Sequence, residues 1–195
     1  SCATPREAEV VATVCDDLLL AYPPVGTDRL RRTSALAERV RLGVMLDSLE
    51  SASGLSEAVG RVGASVRVLV EVDAGMQRTG VTGVDAAIAL ARDVDALPGI
   101  AFDGFGFYPG HLRSAGPEAD AELVRLSTMV SELRAGAESA GLVVQTISAG
   151  TTPLLWRSHE IAGLTELRAG TAVYFDRTSV VGEVCGIDEC AATIL

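Results

Sequence analysis

Residues Val66 to Gly80 read VRVLVEVDAGMQRTG, and this stretch decides the fold class. Val66, Val68, Val70 and Val72 alternate with Arg67, Leu69, Glu71 and Asp73. So many β-branched residues in a short run favour a largely buried strand over a helix. The residues that follow, Ala74-Gly75-Met76-Gln77-Arg78-Thr79-Gly80, do not form a hairpin turn, because the next periodic segment, Val84 to Leu97, is alanine-rich and helical. The unit is strand, loop, helix. Its polar, glycine-flanked loop sits at the carboxyl end of the strand, where α/β folds place their chemistry. Arg78 is the residue in it that needs an explanation.

The same plan repeats on both sides. Thr4, Pro5 and Glu7 form an S/T-x-x-E capping box with proline at the first helical position, opening a helix that runs to Val14. Leu18 to Tyr22 is a short apolar strand stopped by Pro23-Pro24; Asp28 to Glu38 is helical; Val40 to Asp47 is a strand closing on an acid; Leu49 to Val62 is helical. Downstream, Pro98-Gly99 break the Val84 helix, and Ile100 to Tyr108 is a strand whose end, Tyr108-Pro109-Gly110-His111, is a tight polar loop. A long amphipathic helix from Glu118 to Ala140 precedes a strand from Leu142 to Ile147, which runs into Ser148-Ala149-Gly150-Thr151-Thr152-Pro153. A short helix around Leu154 to Ser158 and a strand from Leu164 to Leu167 lead to Arg168-Ala169-Gly170-Thr171 and the apolar Ala172 to Phe175.

Strands alternating with helices in this way argue for βαβ units and a parallel sheet. An open dinucleotide-binding sheet would carry a G-x-G-x-x-G turn after its first strand, and none occurs. A (β/α)8 barrel builds its phosphate site from the loops after strands 7 and 8. Ser148-Ala-Gly-Thr-Thr and Arg168-Ala-Gly-Thr follow the last two strands of this chain. If those are strands 7 and 8, the chain is an incomplete TIM-type barrel that starts near the end of strand 2.

Composition narrows the function. The chain has 195 residues, 48% of them hydrophobic, with a mean hydropathy of +0.32, which suits one sizeable core. A net charge of −10 and a pI near 4.6 argue against nucleic-acid binding. No apolar run is long enough to span a bilayer and the first residues lack signal-peptide features, so a soluble, cytoplasmic protein is expected. Cys2, Cys15, Cys185 and Cys190 make no CxxC pair, and His111 and His159 are far apart, which gives a zinc or redox site no support. All sixteen basic residues are arginine. Chemistry that requires a lysine must find it outside this chain.

The carboxyl ends of the strands present Tyr22, Asp47, Asp73 with Arg78, Tyr108 with His111, Ser148 with Gly150 and Thr151, and Gly170 with Thr171. On a barrel these converge on one face. Small hydroxyls and glycine N–H groups can hold a phosphate dianion, though Ser148 and its neighbours could equally cap the following helix. Arg78 suits an oxygen anion or a ring heteroatom, or a surface ion pair. His111 could act as a general acid or base, or could be structural. Asp47 and Asp73 most simply cap loops or pair with Arg78.

These loops together resemble the barrel domain of fold-type III pyridoxal-phosphate enzymes, in the D-threonine aldolase and D-serine dehydratase branch of the alanine racemase-like superfamily. The matching stretches are Cys2-Ala-Thr-Pro-Arg-Glu-Ala-Glu, Leu18-Leu-Leu-Ala-Tyr-Pro-Pro-Val-Gly, Glu71-Val-Asp-Ala-Gly-Met-Gln-Arg-Thr-Gly-Val, Tyr108-Pro-Gly-His-Leu, Ser148-Ala-Gly-Thr-Thr-Pro and Glu166-Leu-Arg-Ala-Gly-Thr, in the family's order. The resemblance implies pyridoxal 5'-phosphate as cofactor. It places Arg78 at the ring's phenolic oxygen, Tyr108 and His111 beside the pyridine ring, and Ser148, Gly150, Thr151, Gly170 and Thr171 in the phosphate cradle. Arg168 stands where alanine racemases place the arginine that faces the pyridine nitrogen.

The implied activity is a lyase for D-3-hydroxy amino acids, cleaving Cα–Cβ to glycine and an aldehyde. A D-serine dehydratase, an amino-acid racemase and a non-catalytic cofactor carrier are the alternatives. The family's cofactor-linking lysine lies on the first barrel strand, before Ser1, and its divalent metal is held by a C-terminal β-domain. Residues 1–178 are therefore expected to be the barrel and 179–195 the start of that β-domain. The resemblance also implies a homodimer, and the chain alone is expected to be inactive.

Overall fold

The computed structural model describes residues 1–191. Its strands are β1 (Asp17–Leu20), β2 (Arg41–Leu46), β3 (Val66–Val72), β4 (Ile100–Phe107), β5 (Thr146–Ala149) and β6 (Glu166–Leu167). Its helices are α1 (Pro5–Val11), α2 (Thr27–Ala37), α3 (Leu49–Gly60), α4 (Val84–Asp95), α5 (Glu118–Ser139) and α6 (Arg177–Val181). Each strand pairs in parallel with its sequence neighbours, in the order β1-β2-β3-β4-β5-β6. A doubly wound sheet reverses its order at a switch point; a barrel does not. The fold is an incomplete TIM-type barrel, a half-barrel of six strands. Cys2 pairs in parallel with Leu20, donating to the Leu19 carbonyl at 2.8 Å and accepting from Ala21 at 2.9 Å. It stands where the end of a preceding barrel strand belongs.

The core follows from the alternation in β3. Val66, Val68, Val70 and Val72 face the helices and join Leu90, Val94, Leu126 and Leu133 in one buried cluster. The opposite side of the strands lines the barrel interior, where Leu19, Met45 and Leu69 form a small apolar layer. Below that layer Arg67 pairs with Asp17 at 2.6 Å and Asp103 at 3.4 Å, and Thr146 donates to Asp103 at 2.8 Å.

Strand β4 carries a bulge: Val68 is opposite Phe102 but Leu69 is opposite Gly104, which leaves Asp103 extra. One added residue flips the face of everything after it. Phe102 and Phe105 thus both face the helices, with ring centroids 5.2 Å apart, and the inward phase continues through Gly106 to Tyr108.

Three local expectations need correction. The strand expected at Leu142–Ile147 begins at Thr146 and runs to Ala149. Leu142 to Val144 instead close the end of α5: Leu142 donates to the Ala137 carbonyl, and Arg134 takes the Val144 carbonyl at 3.2 Å. The helix expected around Leu154–Ser158 is two 3-10 turns, Thr152–Leu154 and Ser158–Glu160. The last strand is only Glu166–Leu167, because the chain turns once Arg168 is drawn onto its neighbours. Asp176 caps α6, accepting from Ser179 at 2.9 Å, and a 3-10 turn follows at Ile187–Glu189. Among the described residues 179–191 contain no strand; residues 192–195 of the expected β-domain start lie outside the described residues.

Candidate functional site

Arg78 is presented by a loop that three carboxylates pin. Asp73 Oδ1 accepts from the Gly75 and Gln77 N–H groups at 2.9 and 3.0 Å. Asp47 Oδ2 accepts from Gly80 N–H at 3.1 Å, and Glu71 Oε1 accepts from the Thr79 hydroxyl at 2.7 Å. Gly80, at φ +97°, lies so close to β3 that a Cβ would stand 2.6 Å from Asp73 N. The loop places the Arg78 guanidinium 4.7 Å from the Tyr108 ring centroid and 5.4 Å from that of Tyr22. Among the described residues Arg78 forms no ion pair. Asp47 and Asp73 do the loop-capping expected of them.

Arg168 is held differently. Glu71, Gly106, Ser148 and Glu166 lie in one register row across β3 to β6. Ser148 Oγ donates to Glu166 at 2.6 Å and accepts from Arg168 Nε at 2.8 Å; Arg168 Nη2 donates to the Phe107 and Ser148 carbonyls at 3.0 and 3.2 Å. Burial lowers the guanidinium's pKa, and the charges of Glu166 and Glu71 oppose that shift. The Ser148 side chain is fully buried, and its hydroxyl is engaged with Glu166 and Arg168.

Glu71 is 2% exposed, and its Oε2 has no partner among the described residues. Burial raises its carboxyl above the usual range, the Thr79 hydrogen bond opposes this and the Asp47 charge adds to it. A raised folded-state value contributes stability that is present below the unfolded value and lost as pH rises through the folded one. Glu71→Gln, which mimics the protonated acid, is expected to melt higher than wild type near neutral pH and to converge with it below about pH 4. Parallel melting curves across that range would count against the buried charge.

A cavity of about 490 Å³ brings together Tyr108, Thr151, Arg168, Gly170 and Thr171 at the carboxyl ends of β4 to β6. A Cβ built on Gly170 meets nothing within 4 Å, so this backbone is open to close approach. Thr151 as a residue is 6% exposed, and its hydroxyl makes no hydrogen bond to the described residues. Gly150 serves the backbone: at φ +140° a Cβ there would lie 2.5 Å from Leu167 Cδ1. Small hydroxyls, an open glycine and Arg168 in the lining, with Arg78 against the ring of the lining residue Tyr108, fit a planar phosphorylated ligand such as pyridoxal 5'-phosphate. His111 is not among the residues lining this cavity. Its Nε2 lies 3.3 Å from Glu122 on α5.

Sequence reasoning assigned no role to Tyr22, Glu71, Glu122 or Glu166. The inward phase of Glu71 was legible in the alternation of β3. Glu122 and Glu166 carry no local signal, since their roles depend on residues far along the chain.

The family model described as alanine racemase, N-terminal domain, matches residues 3–178. The chain belongs to this family. This alanine racemase-type domain is 31% identical over 171 residues to D-threonine aldolase of Arthrobacter sp, covering 85% of this chain and 44% of that protein. It is 28% identical to D-threo-3-hydroxyaspartate dehydratase of Delftia sp. (strain HT23), covering 99% of this chain and 52% of that protein. The crystal structure of D-threonine aldolase from Filomicrobium marinum superposes with a TM-score of 0.87 at 28% identity, covering 92% of this chain and 49% of that one. The domain thus spans about half the length of these relatives.

Proposed function

We propose that this alanine racemase-type domain is the cofactor-binding part of a pyridoxal-phosphate-dependent lyase acting on D-3-hydroxy amino acids, of D-threonine aldolase type. The observation that carries the reading is the convergence of Arg78, Tyr108, Thr151, Arg168 and Gly170 at one end of a barrel sheet, in a chain related to such aldolases. The bound cofactor supplies an electron sink for the pair released when the substrate's Cα–Cβ bond breaks. Thr151, Gly170 and Thr171 hold the phosphate, Gly150 lets their loop pass β6, Arg78 faces the ring oxygen and Arg168 the ring nitrogen. Tyr108 packs between Arg78 and the cavity. His111 serves proton transfer at the site's margin.

The chain has no lysine, so the amine that links the cofactor belongs to another segment of the full protein. We extend the proposal to a divalent metal on a further domain beginning near residue 179, a homodimer and a cytoplasmic setting. The chain alone is expected to show no turnover. Dehydration is the second reading, favoured by the Delftia dehydratase, which aligns with 99% of this chain. The full-length protein given D-threonine is expected to release glycine and acetaldehyde. Production of 2-oxobutanoate and ammonia without glycine would replace the aldolase assignment with the dehydratase one.

A further inference from the structure

His111 sits in the loop that joins β4 to α5, and its surroundings come from three elements. Nε2 lies 3.3 Å from Glu122 Oε2 on α5. The same oxygen accepts from Arg125 Nε at 2.9 Å and Nη2 at 2.8 Å. Arg125 Nη2 also donates to the Ala74 carbonyl at 2.5 Å, in the loop that carries Arg78. Gly75 closes the contact at φ +107°: a Cβ there would stand 3.3 Å from His111 Cε1 and 3.4 Å from Arg125 Nη2. The other ring nitrogen, Nδ1, is buried without a partner among the described residues.

Arg125, and after it His111, hold the Glu122 carboxyl below its usual range, so Glu122 is an anion that only accepts hydrogen bonds. A bare imidazole nitrogen facing it would set lone pair against lone pair, so the ring hydrogen belongs on Nε2. The buried Nδ1 is then an acceptor with nothing to accept from.

We propose that Glu122 and Arg125 are positioning residues: Glu122 fixes His111 as the Nε2–H tautomer with Nδ1 as its free acceptor, and Arg125 ties the Arg78 loop to the same carboxylate. Nδ1 is thereby left as a buried acceptor with no partner among the described residues. The link to catalysis rests on the lyase reading above; the tautomer does not.

The test uses the chain itself, which has only two histidines, His111 and His159. Imidazole nitrogen NMR of the chain labelled at histidine, with His159→Gln for assignment, is expected to show the neutral His111 ring carrying its hydrogen on Nε2. Glu122→Ala is expected to reduce the excess of Nε2–H over Nδ1–H by about tenfold, the worth of one hydrogen bond to a charged group. A wild-type ring protonated at Nδ1 overturns the proposal, as does an unchanged ratio in folded Glu122→Ala. The wild-type spectrum decides even if the variant fails to fold. Arg125→Met is expected to keep the tautomer in the full-length protein while weakening pyridoxal 5'-phosphate binding several-fold; unchanged binding removes the tether. Because the tautomer is read without cofactor, its failure is separable from failure of the lyase reading, which the product analysis decides.

Discussion

Replacement of Arg78 by alanine is expected to weaken binding of pyridoxal 5'-phosphate to the full-length protein by at least about tenfold, since a hydrogen bond to a charged group is worth about 1.5–3 kcal/mol. The domain's melting temperature should move little. Arg78 makes no ion pair among the described residues, and its contacts with Tyr22 and Tyr108 are exposed cation–π contacts, worth about 0.5–1 kcal/mol each. Its loop is held by Asp47, Glu71 and Asp73 through Gly80, Thr79, Gly75 and Gln77, none of which needs the guanidinium. Arg78→Lys keeps the charge without the planar fork and should fall between the two. Equilibrium dialysis against the cofactor measures the effect, and an affinity equal to wild type would remove Arg78 from the site.

The largest loss of stability is expected from Gly104→Ala. At φ +150°, a Cβ there would lie 1.8 Å from the Thr146 carbonyl oxygen and 2.8 Å from its carbon. The obstacle is backbone, so β5 must leave its register with β4, and the Phe105–Ile147 and Gly106–Ser148 pairings go with it. We expect a cost of at least about 3 kcal/mol, read as a lowered urea midpoint, from combined strain and lost pairing. Gly60→Ala is the control: it ends α3 with nothing within 4 Å of the added carbon, and alanine favours helix. Equal midpoints for the two variants would mean the bulge is dispensable.

Much of this molecule was legible in advance where a local rule was sufficient. The capping box at Thr4 and Glu7, the β3 alternation and the loop-capping acids Asp47 and Asp73 all rest on short-range chemistry. The parallel order followed from strands separated by helices. What stayed hidden depended on partners distant in sequence. Val143 and Val144 look like strand residues, but the end of α5 claims that segment. The hydrogen bonds of the Ser148 hydroxyl go to Glu166 and Arg168, 18 and 20 residues on, which no local pattern shows. The β4 bulge left only a glycine as its trace, yet it decides which way Tyr108 faces.

The pinned loop also bears on the thermodynamics of recognition. Its Gly75, Gln77 and Gly80 amides are bound by carboxylates of β2 and β3 ends, and its tightest turns use backbone angles that strand geometry forbids. A segment already confined in this way loses little conformational freedom when a ligand arrives. Association at this edge of the barrel should therefore carry a small entropy penalty, with the cofactor meeting a surface whose shape was set during folding.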